Sequence, residues 1–393
     1  MKEPKHLSQK LEGRKSLNLL RKLSVNDASI DFCSNDYLGL AKSVFFQKLC
    51  QKNYEKLIQT DSIKHINGSS GSRLISGNNT LIEDLEKQIA DFHNNEEALV
   101  FNSGYTANLA VLSSVPKRND IILYDELIHA SLRDGLKLSK AFSAGFKHNS
   151  IEEVEKLINE HAGKKENIYI VLEAVYSMDG KITDLHSFVQ LKNKFSNVFI
   201  ILDEAHSVGV IGEKGEGLSA SLNLQNEVFI CIYTYGKAFG LYGASVVCSR
   251  LTKAYLINFA RPLIYSTALP IYSIISLKTA YDKMSQLNNR RLKISHLQEL
   301  FVKMLQVYKS HLLNDGEHPI QGIKLSGSSK VFELAAYLRS QNLNVKAIVF
   351  PTVPRNMELI RITFHYYNSK KEVLHLAESL EKYLKKYHAE SSS

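Results

Sequence analysis

Short apolar segments rich in β-branched and aromatic residues alternate with amphipathic segments through the middle of this 393-residue chain. No other feature constrains the fold as strongly, because strands that alternate with helices are typical of βαβ units, in which successive strands run parallel. Segment 198–202 is apolar throughout, as expected of a strand that is buried on both faces of a sheet. The pattern predicts an α/β fold with a mainly parallel sheet flanked by helices.

The same pattern predicts where the elements lie and how the chain divides into domains. Strands are predicted at 98–101, 121–123, 168–172, 198–202, 228–233 and 244–248, and helices at 81–93, 131–138, 151–159 and 185–195. We expect residues 41–272 to form this large domain. Residues 273–393 combine a long helical region with short extended runs, which predicts a smaller α+β domain. The sequence of residues 1–40 predicts a helix followed by an extended segment, and this region is too small to fold alone.

Composition excludes several classes of protein. The four cysteines lie far apart without C-x-x-C spacing, so a disulfide scaffold and a zinc site are excluded and no metal is expected. Apolar runs of the ~18 residues that a membrane helix needs are absent, as is the apolar stretch of a signal peptide. The net charge of +9 is spread over helical segments where acidic residues interleave, which indicates solvated helix faces. We expect a cytoplasmic protein with no nucleic-acid or membrane partner.

The segment V-F-I-I-L-D-E-A-H at 198–206 places Asp203 at the end of an apolar strand and His206 three residues later. Ligands of parallel sheets bind beyond the carboxyl ends of the strands, so both side chains are expected in that crevice. A helix cap and a hydrogen-bonded loop histidine are the structural alternative. The letters D-E-A-H also form the acidic box of some helicases, but the phosphate loop G-x-x-x-x-G-K-[ST] that this box needs is absent from the sequence.

The next strand ends in T-Y-G-K-A-F-G at 234–240, which places Lys237 at a strand end between glycines. A lysine in a crevice loses hydration, so its pKa falls and it can act as a nucleophile or base. An aspartate and a lysine at strand ends suit pyridoxal phosphate: the carboxylate keeps the pyridine nitrogen protonated and the lysine binds the aldehyde. Asp203 and Lys237 therefore predict a pyridoxal-phosphate site.

Three further strand ends carry polar residues. Gly104 and Tyr105 follow the first predicted strand and open a helix, so their amides can face an anion. His129 follows the second strand, where an imidazole can stack on a flat ring, and Glu173 and Ser177 follow the third. A glycine turn or a loop histidine alone is more often structural. Together with Asp203 and Lys237, however, these residues indicate one site at the edge of the sheet.

The order and spacing of these motifs resemble those of the α-oxoamine synthases, fold-type I pyridoxal-phosphate enzymes that condense an amino acid with an acyl thioester and release carbon dioxide. The resemblance extends from about residue 33 to residue 364. The matching segments are S-N-D-Y-L-G-L at 34–40, G-S-S-G-S-R-L-I-S-G at 68–77, G-Y-T-A-N at 104–108, H-A-S at 129–131, S-M-D-G at 177–180, D-E-A-H at 203–206, T-Y-G-K at 234–237 and A-L-P at 268–270. The resemblance implies a fold-type I transferase fold and a homodimer whose sites are shared between subunits.

The resemblance also implies a role for each matching residue. Lys237 would bind the cofactor and act as the catalytic base, Asp203 would pair with the pyridine nitrogen, and His206 would contact the ring hydroxyl. His129 would stack on the ring. The other cofactor contacts would be Gly104, Tyr105, Ser177 and Thr234.

Within the family, the likeness is closest to the enzymes of biotin synthesis that join L-alanine to a pimeloyl thioester, with coenzyme A or an acyl carrier protein as the carrier. The basis is F-P-T-V-P at 350–354 followed by R-I-T at 361–363. The residues expected to contact substrates are Arg21, Asn35, Glu173, Thr352 and Arg361, of which Arg361 suits a carboxylate through two parallel hydrogen bonds. Val349 and Phe350 replace a usual Arg-Pro pair and Glu216 a usual arginine, which leaves the acyl donor open.

Two alternatives remain. One is a relative that uses glycine or serine with another acyl-CoA, as in threonine degradation, haem synthesis or sphingolipid synthesis. The other is a cofactor-free binding or regulatory protein on the same fold, which the presence of both Asp203 and Lys237 disfavours.

Overall fold

The computed structural model describes residues 3–17, 19–23, 29–60 and 66–391. Its strands, numbered in chain order, are β1 (Ile30–Asp31), β2 (Glu97–Phe101), β3 (Ile121–Asp125), β4 (Phe142–Phe146), β5 (Ile168–Glu173), β6 (Val198–Asp203), β7 (Ile230–Thr234), β8 (Ala244–Cys248), β9 (Ile320–Lys324), β10 (Leu343–Asn344), β11 (Lys346–Ile348) and β12 (Leu359–Thr363).

The helices surround these strands. They are α1 (Lys5–Ser16), α2 (Val44–Ile58), α3 (Thr80–Phe92), α4 (Gly104–Ser114), α5 (Ala130–Leu138), α6 (Ile151–His161), α7 (Leu185–Lys192), α8 (Leu218–Ser221), α9 (Arg250–Phe259), α10 (Arg261–Ile264), α11 (Ile271–Met284), α12 (Asn288–Met304), α13 (Ser328–Ser340) and α14 (Lys370–Ser391). Short helical turns lie at Arg73–Gly77, Ser285–Leu287 and Gln306–His311.

The large sheet has seven strands in the order β2-β8-β7-β6-β5-β3-β4. The five strands β3 to β7 pair in parallel, whereas β8 is antiparallel to both of its neighbours, β7 and β2. This arrangement confirms the predicted α/β fold with a mainly parallel sheet. The carboxyl ends of the parallel strands therefore meet at one edge, where the sequence concentrates its polar motifs.

The sheet is covered on both faces, as its apolar strands require. Alternate residues of β6 point to opposite sides: Ile200 and Leu202 join one buried cluster, and Ile201 joins the other. Helices α4 and α5 pack together on the second side, where α4 contacts β7 and β8. Burial on both sides leaves the strand ends as the place where polar side chains meet.

All six predicted strands of the sheet are present, with bounds that differ by at most two residues from those expected. Strand β4 was not predicted. Its sequence, F-S-A-G-F, lacks β-branched residues, and it lies at the edge of the sheet with Phe142 exposed. An edge strand is covered on fewer sides, so it needs less apolar surface and carries a weaker sequence pattern.

The C-terminal region forms a second, antiparallel sheet in the order β11-β12-β9, packed with α13 and α14. This is the smaller α+β unit that the sequence predicts. Strand β1 pairs in parallel with β10, so the N-terminal segment is attached to the C-terminal region. Helix α11 begins at the predicted boundary near residue 272 and packs against α2 and α3 of the large domain. The division of the chain at residues 40 and 272 therefore stays a prediction. None of the described helices is both long and apolar enough to cross a membrane.

Candidate active site

The carboxyl ends of the parallel strands open into a cavity of about 330 Å³. Most of the residues that the sequence singled out line this cavity. They are Asn35, Gly104, Tyr105, His129, Glu173, Asp203, His206, Thr234 and Lys237. The sheet topology thus brings together residues that are up to about 200 positions apart in the chain.

Lys237 lies in the turn between β7 and β8, half-buried at the cavity. The turn is fixed by backbone bonds from Tyr235 N to Gly243 O, at 3.0 Å, and from Gly240 N to Lys237 O, at 2.8 Å. Burial lowers the pKa of the Lys237 amine to about 8, although the charges of Asp203 and Glu173 oppose this shift. A part of the amine is therefore neutral and nucleophilic near neutral pH.

Asp203, at the end of β6, is buried and held on both carboxylate oxygens. Its Oδ1 accepts a hydrogen bond from Ala205 N at 2.9 Å, and its Oδ2 accepts one from Asn108 Nδ2 at 2.8 Å. The second hydrogen of Asn108 Nδ2 goes to Ser131 Oγ at 2.9 Å, and Ser131 Oγ lies 2.7 Å from His129 Nδ1. A continuous hydrogen-bond chain thus joins Asp203 to His129, whose ring is exposed at the cavity.

Glu173 ends β5 directly beside Asp203, because the two residues pair in the parallel register. Its Oε1 accepts a hydrogen bond from the backbone N–H of His129. Burial, followed by the nearby charge of Asp203, raises the pKa of Glu173 well above its usual range. Asp203 and Glu173 therefore place negative charge near the Lys237 amine. Glu173 also fixes the backbone of His129.

His206 is buried, and its imidazole Nδ1 lies 2.6 Å from the Tyr37 hydroxyl. Its carbonyl oxygen accepts a hydrogen bond from His318 Nε2 at 2.8 Å. Burial, followed by the positive charges of Lys237 and Arg361, lowers the pKa of His206 well below its usual range. The ring is therefore neutral, with one nitrogen a donor and the other an acceptor.

An anion can bind where α4 begins. Ser103 caps this helix by accepting a hydrogen bond from Thr106 N at 3.2 Å, so the positive end of the helix faces the cavity. A Cβ atom on Gly104 would overlap the methyl group of Thr234, so only glycine fits there. The buried Thr234 Oγ1 and Asn108 Oδ1 have no hydrogen-bond partner among the described residues. These features fit the phosphate and ring of pyridoxal phosphate.

Arg361, on β12, is buried and forms hydrogen bonds with residues far from it in the chain. Its Nε donates to Ser177 O at 2.6 Å, and its two terminal nitrogens donate to Thr363 Oγ1 and Asn35 Oδ1, each at 2.9 Å. A guanidinium has five N–H groups. The Tyr37 hydroxyl is a further hydrogen-bond neighbour of the guanidinium, and an N–H group that these partners leave free can meet a carboxylate.

Several predicted residues do not line the Lys237 cavity. Arg361 and Ser177 are not among its lining residues, and the two contact each other through the Ser177 carbonyl oxygen. Arg21, Thr352 and Val349 line a different cavity of about 550 Å³, and Thr352 also lines a third, of about 410 Å³. Glu216 is not among the described residues that line these three cavities.

Asn108, Ser131 and Tyr37 are among the residues at the site that were not assigned a role from the sequence. Asn108 lies four residues after Gly104 in α4, so the helical period places both on one face, and this spacing was the available signal. Tyr37 lies 169 residues from His206 in the chain. No local pattern links the two, so only the folded chain reveals that contact.

A half-buried lysine beside a strand-end aspartate, on a mainly parallel sheet, defines the class of pyridoxal-phosphate enzymes. The aminotransferase class I and II family matches residues 27–380. The chain belongs to this family.

Curated relatives and solved structures agree with this assignment. The 8-amino-7-oxononanoate synthase of Emericella nidulans is 34% identical over 97% of this chain and 95% of its own length. A structure of 8-amino-7-oxononanoate synthase from Francisella tularensis is 27% identical, with a TM-score of 0.79 over 93% of this chain and all (100%) of its own. A serine palmitoyltransferase from S. paucimobilis with a bound pyridoxal-phosphate adduct reaches a TM-score of 0.86 over 96% of both chains, and its 20% identity shows the fold alone. The predicted α-oxoamine synthase resemblance, fold-type I fold and cofactor are confirmed.

In the wall of the cavity of about 410 Å³, His148 joins the end of β3 to the turn that follows β5 through ion pairs. Its Nδ1 lies 3.1 Å from both carboxylate oxygens of Asp125, at the end of β3, and its Nε2 lies 3.2 Å from Asp179 Oδ2. The ring also meets Tyr176 edge to face at 4.4 Å. Burial opposes the charge, but the two aspartates overcome it and raise the pKa of His148 to about 9. The imidazolium thus ties the loop that leads to His129 to the turn that contains Ser177.

We expect His148→Gln to destabilise the protein by about 3 kcal/mol near pH 7, because both aspartates lose their buried cationic partner. The pKa of His148 is raised on folding from 6.5 to about 9, so its contribution is complete below pH 6.5 and is lost as the pH rises through about 9. Urea unfolding of the wild type and the variant from pH 6 to pH 10 measures the difference.

The matched control is His186→Gln, at an exposed position of α7. This substitution is expected to change the stability little at any pH. A stability difference for His148→Gln that stays constant between pH 6 and pH 10 would show that the histidine is not charged in the folded protein.

Proposed function

We propose that this protein is an 8-amino-7-oxononanoate synthase, which joins the α-carbon of L-alanine to the acyl carbon of a pimeloyl thioester. The C–S bond of the thioester breaks, the thiol leaves, and the alanine carboxylate departs as carbon dioxide. The observation that carries this proposal is the cavity that pairs Lys237 with Asp203, in a chain 34% identical to a synthase of that name. When bound, pyridoxal phosphate supplies an electron sink for the bonds at the α-carbon.

The residues of the Lys237 cavity would have different roles in cofactor binding and proton transfer. Lys237 holds the cofactor and, once free, accepts the α-proton; its pKa of about 8 suits a base near neutral pH. Asp203 holds the positive charge of the pyridine nitrogen, and its two hydrogen bonds keep it in place. His206 contacts the ring hydroxyl and His129 stacks on the ring. Gly104, Tyr105 and Thr234, which line the cavity, would surround the rest of the cofactor, and Ser177 would contribute through its contact with Arg361.

Arg361 would bind the carboxylate of alanine through N–H groups that its protein partners leave free. Its three contacts with the protein orient the guanidinium, and one of these is Asn35, which also lines the Lys237 cavity. The charge of Arg361 contributes to lowering the pKa of both Lys237 and His206, so it lies close to the reacting groups. Glu173 completes the substrate side by fixing the His129 backbone.

The acyl donor would use the cavity of about 410 Å³ that Thr352 lines. Its wall is largely apolar, with Ile128 and Val353 among the lining residues. It also contains the cations Arg133, Lys181 and Lys324 and the carboxylates Glu126 and Asp179, of which Asp179 is paired with His148. An apolar chain that ends in a carboxylate, as a pimeloyl group does, matches this combination better than an acetyl or a palmitoyl group. Arg21, in the neighbouring cavity, would meet the thioester carrier, either coenzyme A or an acyl carrier protein.

We also propose a homodimer and a cytoplasmic location. Two large side chains that line the Lys237 cavity are exposed: Tyr105 is 45% exposed and Tyr242 is 60% exposed. A second copy of the chain that covers these residues would remove this apolar surface from water. All four cysteines are free, as is usual in a reducing compartment.

We expect the purified protein to be yellow, with a cofactor absorbance band that borohydride abolishes. Reduction should leave the pyridoxyl group on Lys237, because its amine is half-buried and partly neutral, whereas lysines such as Lys253 are paired with carboxylates. Peptide mapping by mass spectrometry locates the modified residue. Modification of any other lysine would end the assignment of Lys237.

We expect Asp203→Asn to bind the cofactor but to lose α-proton exchange of L-alanine by at least ~100-fold, because a neutral amide does not hold the pyridinium charge. Exchange into deuterated water, followed by NMR, measures the rate. Asp120→Asn is the matched control: Asp120 is equally buried but lies where β3 begins, at the opposite edge of the sheet. Near-normal exchange in Asp203→Asn would place the acidic group elsewhere.

The substrates are tested by offering alanine, glycine and serine in combination with pimeloyl-CoA, acetyl-CoA, succinyl-CoA, palmitoyl-CoA and pimeloyl carrier protein. We expect carbon dioxide release to be fastest with alanine and a pimeloyl donor, since the apolar cavity has cations in its wall. Faster release from glycine with acetyl-CoA, or from serine with palmitoyl-CoA, would reject the biotin assignment and retain the family.

A further inference from the structure

Tyr37 is fully buried and contacts three residues of the site, His206, Asn35 and Arg361. Its hydroxyl lies 2.6 Å from His206 Nδ1 and 3.4 Å from Asn35 Oδ1. Tyr37 does not itself line the cavity, whereas His206 and Asn35 do. The phenol therefore acts on the site through its neighbours.

The direction of the short hydrogen bond follows from acidity and distance. A phenol is a much stronger acid than the N–H group of a neutral imidazole, so an O–H donor with a nitrogen acceptor is the favoured arrangement. The 2.6 Å separation is typical of a strong O–H donor. The competing acceptor, Asn35 Oδ1, is 3.4 Å away and already accepts a hydrogen bond from Arg361 at 2.9 Å. Tyr37 thus donates to His206 Nδ1.

The position of the single ring proton of His206 then follows. The ring is neutral, because it is buried near the cations Lys237 and Arg361. With Nδ1 as the acceptor, the proton must be on Nε2. Since Nδ1 faces the buried Tyr37, the Nε2–H group is on the side of the ring that lines the cavity.

The neighbouring His318 stabilises this arrangement through contacts with both His206 and Tyr37. Its Nδ1 accepts a hydrogen bond from Ile320 N at 3.2 Å, which leaves Nε2 protonated to donate to His206 O at 2.8 Å. The Tyr37 ring meets His318 edge to face at 5.6 Å. Both the backbone of His206 and the phenol that contacts its ring are therefore fixed by buried contacts.

We propose that Tyr37 is a positioning residue that holds His206 as the Nε2–H tautomer and so directs a hydrogen-bond donor into the cavity. The proposal deepens the proposed function, because it rests on this cavity as the cofactor site. A donor there favours the anionic form of the ring oxygen of pyridoxal phosphate. With the opposite tautomer, His206 would present a lone pair to that oxygen and repel it.

The tautomer is measured by NMR of the holoenzyme and of the cofactor-free protein, both labelled with nitrogen-15 in histidine. The nitrogen-15 chemical shift of a ring nitrogen differs between its protonated and unprotonated forms. The signals that are absent from the spectrum of His206→Gln belong to His206. We expect Nε2 to be protonated in the wild type. In Tyr37→Phe, the ratio of the Nε2–H to the Nδ1–H form should fall about tenfold, the effect of losing one buried hydrogen bond.

The matched control is Tyr281→Phe, which also removes a buried phenol bonded to a histidine, here His93 Nε2 at 3.1 Å. It should alter the signals of His93 and leave those of His206 unchanged. A second measurement is the absorbance of the bound cofactor as a function of pH. The midpoint should rise by about one pH unit in Tyr37→Phe, because the anionic ring oxygen loses a preorganised donor.

Protonated Nδ1 in the wild type, or an unchanged tautomer ratio in Tyr37→Phe, would overturn the proposal. The wild-type spectrum tests the tautomer even if the variant does not fold. A failure of the proposed function gives a different result: the Nε2–H tautomer would be present in the cofactor-free protein, but borohydride would place the pyridoxyl group on a lysine other than Lys237.

Discussion

The parallel register of β5 and β6 places Glu173 and Asp203 side by side where both strands end. Two buried carboxylates repel each other and lose hydration, so the surrounding structure must supply hydrogen-bond donors and positive charge. Asn108 and the His129 backbone supply the donors, and Lys237 supplies the charge. The same negative charge limits how far burial depresses the pKa of Lys237. The arrangement of the site therefore depends on this one pairing of strand ends.

Parts of the chain that lie outside the large sheet surround the Lys237 cavity or contact the residues that line it. Arg361, from the C-terminal sheet, contacts Asn35 near the N-terminus and Ser177 after β5. Strand β1 pairs with β10 and fixes the N-terminal segment from which Asn35 and Tyr37 reach the site. A substrate between Arg361 and Lys237 would thus touch three parts of the chain at once.

Sequence patterns located the buried strands and their ends, but they missed an edge strand and contacts between distant segments. The buried strands of the large sheet have dense apolar patterns, so five of their ends, each followed by a polar motif, were located to within two residues. Edge strand β4 was missed, because a partly exposed strand has no such pattern. Thr352 and Arg21 were expected to contact substrates, but their distance from the other substrate residues joins segments far apart in the chain, which the sequence does not specify. The structure places them in cavities other than the Lys237 cavity.

By itself, the sequence determined which chemical groups are available and which strand ends carry them. Strand ends are local features, and a lysine in T-Y-G-K or an aspartate in L-D-E-A-H is visible without knowledge of any contact. Only the tertiary structure decided the protonation and orientation of these groups. The pKa of Lys237, the neutral ring of His206 and the cationic ring of His148 each depend on burial and on partners distant in the sequence. Electrostatic and hydrogen-bond energies depend on distances in space, which separation along the chain does not specify.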